Sequence, residues 1–506
     1  MSPLGKALLG LHAWGGLLFG WLLVPIFIAG SLAVFEPEIS HWMRPELTAS
    51  VFVRENAVAL GEARLRVAGE GAPLWRLRLP SEREPTIGIA WGKTPKEMNE
   101  EAHKETLDAA TAALLTPRRT MGGQFFTDFH SDLLAGAAGK WIVGAAGIVM
   151  LAALVSGILA HHRIFRDFFT FRPWATRRRA WLDAHNLLGV ATLPFLLMIA
   201  YTGTVILAEA FMPAATHALY DGKPRANRAE VVKSFVRPPA GEAAALRPLT
   251  EHLAAAESIL GVGTVANLMI RHPGDRNGLV QALRHVGDRL SAVADHVTFD
   301  AASGAHFGQQ TEWNSMAYAY RAQVGLHVAH YGGPAIRWLY FVSGLLGAAM
   351  MATGTVLFVR KRRQRAGDSR SQRLLESVSV ASVSGALLAC VAFLWLNRLI
   401  PAGVDARAMW EIAGFFVVWG VAFLHAWKRP AQRAWREQLS VAGGCALLLP
   451  LLDFLTASQP CDILRLGVDG SALVIGGLLL AAGRRLFAVD RNDRSGARHV
   501  TGEVLS

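Results

Sequence analysis

The stretch Ala184–Gly203, AHNLLGVATLPFLLMIAYTG, opens an apolar run with His185 and places glycines four and eighteen residues after it, at Gly189 and Gly203. The same spacing recurs upstream in Leu11–Gly30, LHAWGGLLFGWLLVPIFIAG, where Gly16 and Gly30 follow His12 by four and eighteen. A second matched pair accompanies the first. Ser156-Gly157 begins 26 residues after His130 and Arg163 comes 33 after it; Thr353-Gly354 begins 26 residues after His327 and Arg360 comes 33 after it. The four histidines and their markers read as a duplicated two-helix unit, a parallel repeat about an axis along the membrane normal.

Composition places that unit in a bilayer. Of 506 residues, 52% are hydrophobic and 18% charged, yet Lys+Arg outnumber Asp+Glu by 51 to 39. A basic excess in so apolar a chain indicates a polytopic membrane protein with basic cytoplasmic loops, and no basic, aromatic-interleaved patch points to nucleic acid. Cys390, Cys445 and Cys461 show no CxxC or CxxCH spacing, which argues against a zinc site, an iron–sulfur cluster or a covalently attached c-type haem.

Apolar runs at Leu8–Phe35, Lys140–Ala160, Asn186–Ala208, Ile336–Val359, Leu375–Leu396, Ala408–Trp427, Leu439–Thr456 and Ser471–Phe487 each approach the roughly 20 residues that cross hydrocarbon, so eight spans are expected. The first run is too long for a signal-peptide core and ends at Phe35-Glu36-Pro37-Glu38 without a small-residue cleavage site. Arginines set the orientation. Arg163, Arg166, Arg172, Arg177, Arg178 and Arg179 cluster in one loop, Arg360 to Arg373 in a second and Lys428 to Arg436 in a third, which puts these loops and both termini in the cytoplasm.

The chain divides into a first span at 1–35, an outer segment at 36–138, a span at 139–161, a basic loop at 162–185 and a span at 186–208. A second outer segment follows at 209–333, then a span at 334–359, a basic loop at 360–374, a four-span module at 375–488 and a cytoplasmic tail at 489–506. The fold class is thus an all-α polytopic membrane protein with two small outer α/β domains. Within the outer segments, Ser50–Val53, Arg64–Val67 and Trp75–Leu79 read as strands, Pro95–Leu115 as a helix, and Ala294–Phe299 as a strand entering a turn at Asp300-Ala301-Ala302-Ser303-Gly304. His41, His103, His217, His252, His272, His285, His296 and His306 are scattered and read as surface residues. His161, His162 and His425 lie at cytoplasmic span ends without a register partner and read as interfacial.

Depth pairs the four repeat histidines. His12 and His185 lie at the cytoplasmic ends of their helices, His130 and His327 at the outer ends, and a core about 30 Å thick separates the two levels. The pairs are therefore His12 with His185 inside and His130 with His327 outside. Neutral imidazoles facing each other from neighbouring helices are axial ligands for haem iron. Each pair is expected to hold one b-type haem through iron, with Gly15, Gly16 and Gly189 leaving room for the flat macrocycle; plain helix packing is the alternative use of those glycines. His330 shares a helical face with His327, but only His327 aligns with His130, so His330 stands as its understudy.

Leu11-His12-Ala13-Trp14-Gly15-Gly16, Phe129-His130-Ser131-Asp132-Leu133-Leu134, Ala184-His185-Asn186-Leu187-Leu188-Gly189 and Leu326-His327 together resemble the PepSY-associated transmembrane proteins. The resemblance covers about residues 1–363. It implies that the outer segments are periplasmic PepSY domains and that the chain sits in a bacterial inner membrane. Family members include iron-regulated inner-membrane proteins and ferric-siderophore reductases with two b-type haems, which implies bis-histidine haem ligation and electron transfer to a periplasmic iron chelate. Where the family has Leu-His-Thr-Gly, this chain has Leu326-His327-Val328-Ala329, followed by His330. The last four spans lie outside the resemblance and carry no redox motif.

The expected function is a transmembrane haem-dependent ferric-chelate reductase. Its partners are membrane lipid, a ferric siderophore or other iron chelate, and an electron donor that is either a quinol or a cytoplasmic reductase, because no GxGxxG nucleotide fingerprint is present. Two other classes compete: a metal or siderophore transporter, disfavoured because the histidines lie at helix ends and no broken-helix pair carries central carboxylates, and a cofactor-free regulatory or scaffolding protein.

Overall fold

In the computed structural model, residues 3–160, 177–211 and 231–486 are described, together with the isolated positions 214, 217, 218 and 221. The arginines at 163, 166 and 172, His161, His162 and the tail at 489–506 lie outside the described residues.

Among the described residues, eight helices are long and apolar enough to cross a membrane, and each overlaps one of the expected spans. The chain is a multi-pass membrane protein. Its first half supplies α1 (Pro3–Ala33), the short α2 (Glu36–Trp42), α3 (Arg54–Ala68), α4 (Gln124–Asp132) and α5 (Gly136–Ala160). The second supplies α6 (Arg177–Ile206), α7 (Leu249–Leu260), α8 (Ser315–Val328) and α9 (Gly333–Ala366). α1, α5, α6 and α9 close a ring in which α1 and α6 each touch both α5 and α9. The seam of that bundle is aliphatic, from Leu23, Val24 and Ile28 through Ala146, Met150, Leu196 and Ala200 to Ala348 and Met351. Small residues among them let the helices approach closely, which is how helices associate where lipid gives no hydrophobic drive.

The two outer segments do not form two separate domains. Among the described residues each contributes one sheet-packed helix, α3 or α7, and four strands, β1 (Leu74–Arg78), β2 (Thr86–Gly92), β3 (Lys104–Asp108) and β4 (Leu114–Leu115) in the first, β5 (Val265–Arg271), β6 (Leu279–Arg284), β7 (His296–Asp300) and β8 (His306–Gln310) in the second. The halves join edge to edge as one sheet of order β4-β3-β2-β1-β5-β6-β7-β8. Its central seam pairs β1 with β5 antiparallel, Trp75 opposite Ile270 and Leu77 opposite Leu268. Joining there satisfies two edges that separate domains would leave open. One face of the sheet takes both helices: Leu77, Ile87, Leu268 and Val280 share a core with Val58 and Leu65 of α3 and Leu249 and Leu253 of α7.

Local expectations in the first outer segment need correction. Arg64–Val67 is the end of α3 rather than a strand, and Ser50–Val53 is extended chain outside any strand. The alternation Arg-Leu-Arg-Val is local, whereas the buried residues Ala57, Val58, Gly61, Glu62 and Leu65 recur at three and four over fifteen residues. Pro95–Leu115 is not a helix either; two short 3₁₀ turns lead into β3 and the edge strand β4.

The last four spans are α10 (Arg370–Val380) continued by a π-helical turn at Ala381–Gly385 and α11 (Ala386–Leu399); α12 (Arg407–Lys428); α13 (Ala431–Leu447) with α14 (Leu449–Thr456); and α15 (Ile463–Leu486). They pack against the first repeat. Trp21 Nε1 of α1 donates to Ser379 Oγ at 3.0 Å. Phe125 of α4 stacks on Phe393 at 4.1 Å between centroids, and Phe129 meets Phe415 at 5.6 Å. Near the sheet end, Asp453 is held between Arg398 and Arg465, Arg407 pairs with Glu411, and all five side chains are buried. Arg398 also donates to the Trp42 carbonyl and lies over the Trp42 ring at 4.2 Å, while Trp42 Nε1 donates to Asp469 at 2.9 Å. This network fastens the final helices to α2.

Candidate functional site

The four repeat histidines meet in two pairs. The rings of His12 and His185 lie 6.2 Å apart between centroids, at the bundle end remote from the sheet; those of His130 and His327 lie 5.9 Å apart at the sheet end. Gly30, which touches the His130 ring, is eighteen residues along α1 from His12. At 1.5 Å per residue the two levels are about 27 Å apart along that helix.

Each ring is fixed by the same device. His12 Nδ1–H donates to the Ala153 carbonyl, His130 Nδ1–H to the Ile26 carbonyl and His185 Nδ1–H to the Met350 carbonyl, all at 2.9 Å. These carbonyls stand four residues before Gly157, Gly30 and Gly354. At the fourth site the carbonyl four before Gly203 is reached through a hydroxyl. Thr202 Oγ1 gives its hydrogen to the Met198 carbonyl at 2.8 Å and the Ile199 carbonyl at 3.3 Å, and accepts from His327 Nδ1–H at 3.0 Å. The repeat glycine is the floor of each ring. A Cβ would come within 2.6 Å of His130 Nδ1 at Gly30, 2.7 Å of His327 Cε1 at Gly203, and 3.0 Å of His12 Cε1 at Gly157 and of His185 Cε1 at Gly354. Donation from Nδ1 sets the tautomer whose lone pair is on Nε2, the second-shell arrangement seen around metal-bound imidazoles.

The remote pair opens on a cavity of about 970 Å³, near the top of the usual range of roughly 300–1,000 Å³ for cofactor and ligand pockets. Gly15, Gly16 and Gly189 line it, a Cβ on Gly16 would meet nothing within 4 Å, and Arg360, Lys361 and Arg365 stand at its rim. Arg360 lies over the Trp181 ring at 5.7 Å. An iron held by two imidazole nitrogens, each about 2 Å away, sets ring centroids roughly 6 Å apart. Both pairs meet that spacing, and at the remote pair the cavity and its glycines also leave room for a haem.

His330 is not the histidine whose ring pairs with that of His130. Its Cβ would lie 2.7 Å from a Cβ on Gly287, whose other neighbour is the His285 ring. Burial, with the charges of Arg83, His285 and Arg337, pushes His330 down to about 4. Three of the scattered histidines are buried rather than on the surface, each with a structural partner: His41 meets Asp462 at 2.7 Å, His252 bonds the Pro248 and Asp300 carbonyls, and His296 bonds the Lys233 carbonyl. His425 meets Glu437 at 2.9 Å. Asp453, Cys461 and Asp469 bring ligand atoms within 4.8 Å of one another, but two arginines occupy Asp453 and Trp42 occupies Asp469, which leaves that group a salt-bridged clamp.

Sequence spacing found the histidines and their glycines but not the carbonyl partners, because register along one helix does not say which backbone faces it. It also missed the second sign of duplication, Asp108-Ala109-Ala110-Thr111 in the β3–β4 turn against Asp300-Ala301-Ala302-Ser303 in the β7–β8 turn. Each aspartate accepts from the backbone N–H groups two and three residues on and from the turn hydroxyl.

These features define a multi-pass membrane protein with a duplicated four-helix core, two internal histidine pairs and a sheet shared between the repeats. The chain belongs to the PepSY-associated transmembrane family, whose model matches residues 9–361. It is also 29% identical over 381 residues to an uncharacterized protein of Pseudomonas aeruginosa, a match that covers 70% of this chain and 92% of that one.

Proposed function

We propose that the protein is a haem-dependent transmembrane reductase of a bacterial inner membrane, which passes electrons from a cytoplasmic donor or membrane quinol to a ferric chelate, such as a siderophore, on the periplasmic side. The observation that carries this reading is the pairing itself: two imidazole pairs at two depths, each ring locked at Nδ1 and floored by glycine. The basic rim of Arg360, Lys361 and Arg365 supports, by the positive-inside rule, a cytoplasmic remote pair and a sheet on the opposite side. Both termini are then cytoplasmic.

A bound haem would supply a one-electron carrier at each level. The chain's own residues do the rest. His12 with His185, and His130 with His327, would ligate through Nε2; their Nδ1 donations hold ring orientation and raise ligand basicity. The aliphatic seam between the levels keeps water out and the potential field low in screening. Arg360, Lys361 and Arg365 are the side chains suited to propionates at the remote site. Ferrous iron carries less charge and is softer than ferric iron, so reduction loosens its hold on the hard oxygen ligands of a chelate.

Anaerobic mixing of the dithionite-reduced protein with ferric chelates tests this. Reoxidation of the haem α band with at least one chelate is expected; haem that stays reduced with all of them contradicts the acceptor class.

A further inference from the structure

The junction between the sheet and the sheet-side histidine pair brings Arg83 and Arg337 together with the carboxylates of Glu38 and Glu82. Arg83, in the β1–β2 loop, is gripped by Glu38 at 2.7 and 2.6 Å and donates to the Val34 carbonyl at 3.0 Å, which pins it at the end of α1. The next residue, Phe35 in the turn between α1 and α2, packs on Trp338 at 4.8 Å, bringing the first turns of α9 to the same place. Arg337 precedes Trp338. Its Nε is buried without a hydrogen-bond partner, and among the described residues no carboxylate lies within ion-pair distance of its guanidinium. Glu38 and Glu82 are the acids that face it from further off. Tyr340, one turn on, donates to the Leu326 carbonyl at 2.7 Å, so this stretch of α9 is tied to the helix that carries His327. His330 and His285 flank Gly287 beside it.

Glu38 matches Arg83, and nothing comparable matches Arg337. The buried Nε of Arg337 has no partner while the rest of its guanidinium stays accessible, and a planar fork of that kind suits a carboxylate held by two parallel bonds. We propose that Arg337, supported by Arg83 and His330, is a carboxylate-binding seat beside the His130–His327 pair. This rests on the reductase reading for its purpose, though the seat itself does not need haem. Two sources supply a carboxylate there: the propionate of a haem held by that pair, or an anionic iron chelate docking as electron acceptor.

The test uses the full-length, detergent-solubilised chain with Arg337→Gln and Arg337→Lys, and three measurements. These are calorimetric titration with citrate, haem content with midpoint potentials, and reoxidation of the reduced protein by ferric citrate, an anion, and by neutral ferric maltolate. If an acceptor docks, Arg337→Gln weakens citrate binding and slows ferric citrate reoxidation, each by about tenfold, while maltolate rates and haem content hold, the loss expected of one charge-assisted contact. If the seat holds a propionate, Arg337→Gln loses one haem or shifts one potential, Arg337→Lys partly restores it, and both chelates change alike. Where Arg337→Gln fails to fold, Arg337→Lys keeps the charge without the fork and is expected to weaken citrate about threefold or shift one potential. Variants that match the wild type in citrate affinity, haem content and potentials overturn the proposal. A wild type without haem contradicts the reductase reading instead, and the citrate titration then decides the seat alone.

Discussion

At Gly30 one methyl group is the difference between a seated and a displaced ligand. A Cβ there would fall 2.6 Å from His130 Nδ1, and at Gly203 2.7 Å from His327 Cε1, against 3.0 Å at Gly157 and Gly354. Gly30→Ala and Gly203→Ala are therefore expected to remove or perturb the sheet-side haem and leave the remote one in place, whereas Gly157→Ala and Gly354→Ala act on the remote haem and more weakly. Difference spectra of the purified variants check this; equal loss of both haems from Gly30→Ala would contradict it. His327→Ala should abolish the sheet-side haem, whereas His330→Ala should at most shift its potential, since the ring that meets His130 is that of His327. The histidine pairs were legible because a repeat gives every histidine a second copy to align with, which is how His327 is separated from His330 in the sequence. Arg337 was not legible. A single arginine in the first turns of a membrane helix is ordinary, and its significance comes from a missing partner that only packing reveals.

At the scale of elements, the duplicated turns give a pH signature. Burial works against ionisation of Asp300, yet the Ser303 backbone N–H, Arg237 and the Ser303 hydroxyl hold it down to about 2. Asp108 is likewise held well below the usual range by Ser50, Thr48 and Thr111, against its own desolvation. An unfolded aspartate titrates near pH 3.9, so the depressed folded value stabilises above about pH 4 and that stability is lost as pH falls towards 2. Asp300→Asn should lower the melting temperature at pH 7, and its gap from the wild type should shrink between about pH 4 and pH 2.5; a gap that widens on acidification contradicts the sign. The final helices have a separate role. Asp453→Ala would strand Arg398 and Arg465, both buried, at a cost of about 3–5 kcal/mol. Because Phe393 and Phe415 back α4, loss of His130-dependent haem should accompany the fall in stability. The sequence shows these arginines and acids as scattered ionisable residues, since the partners of Arg398 lie 55 residues away in Asp453 and on Trp42 of another segment.

At the scale of the whole molecule, the repeat is an obligate pair. Each histidine pair takes one ring from each half, His12 with His185 and His130 with His327, and the sheet closes only when β1 meets β5. A chain cut between 162 and 176 should give halves that hold no bis-histidine haem alone and recover it when coexpressed, read from the Soret band of each preparation. Spectra with full haem in either lone half would contradict a shared site. The eight spans and the duplication were open to a reader of the sequence, because apolar length and spacing are local quantities. The shared sheet was not: β1 and β5 are nearly two hundred residues apart, and edge pairing leaves no local mark beyond strands that also suit separate domains.

The most direct test of paired-histidine haem binding is the haem-to-chain ratio of the purified wild type, measured as pyridine haemochrome against quantified protein. Two b-type haems per chain are expected, falling to one in His12→Ala and in His130→Ala; no haem in the wild type would contradict the reading at its root.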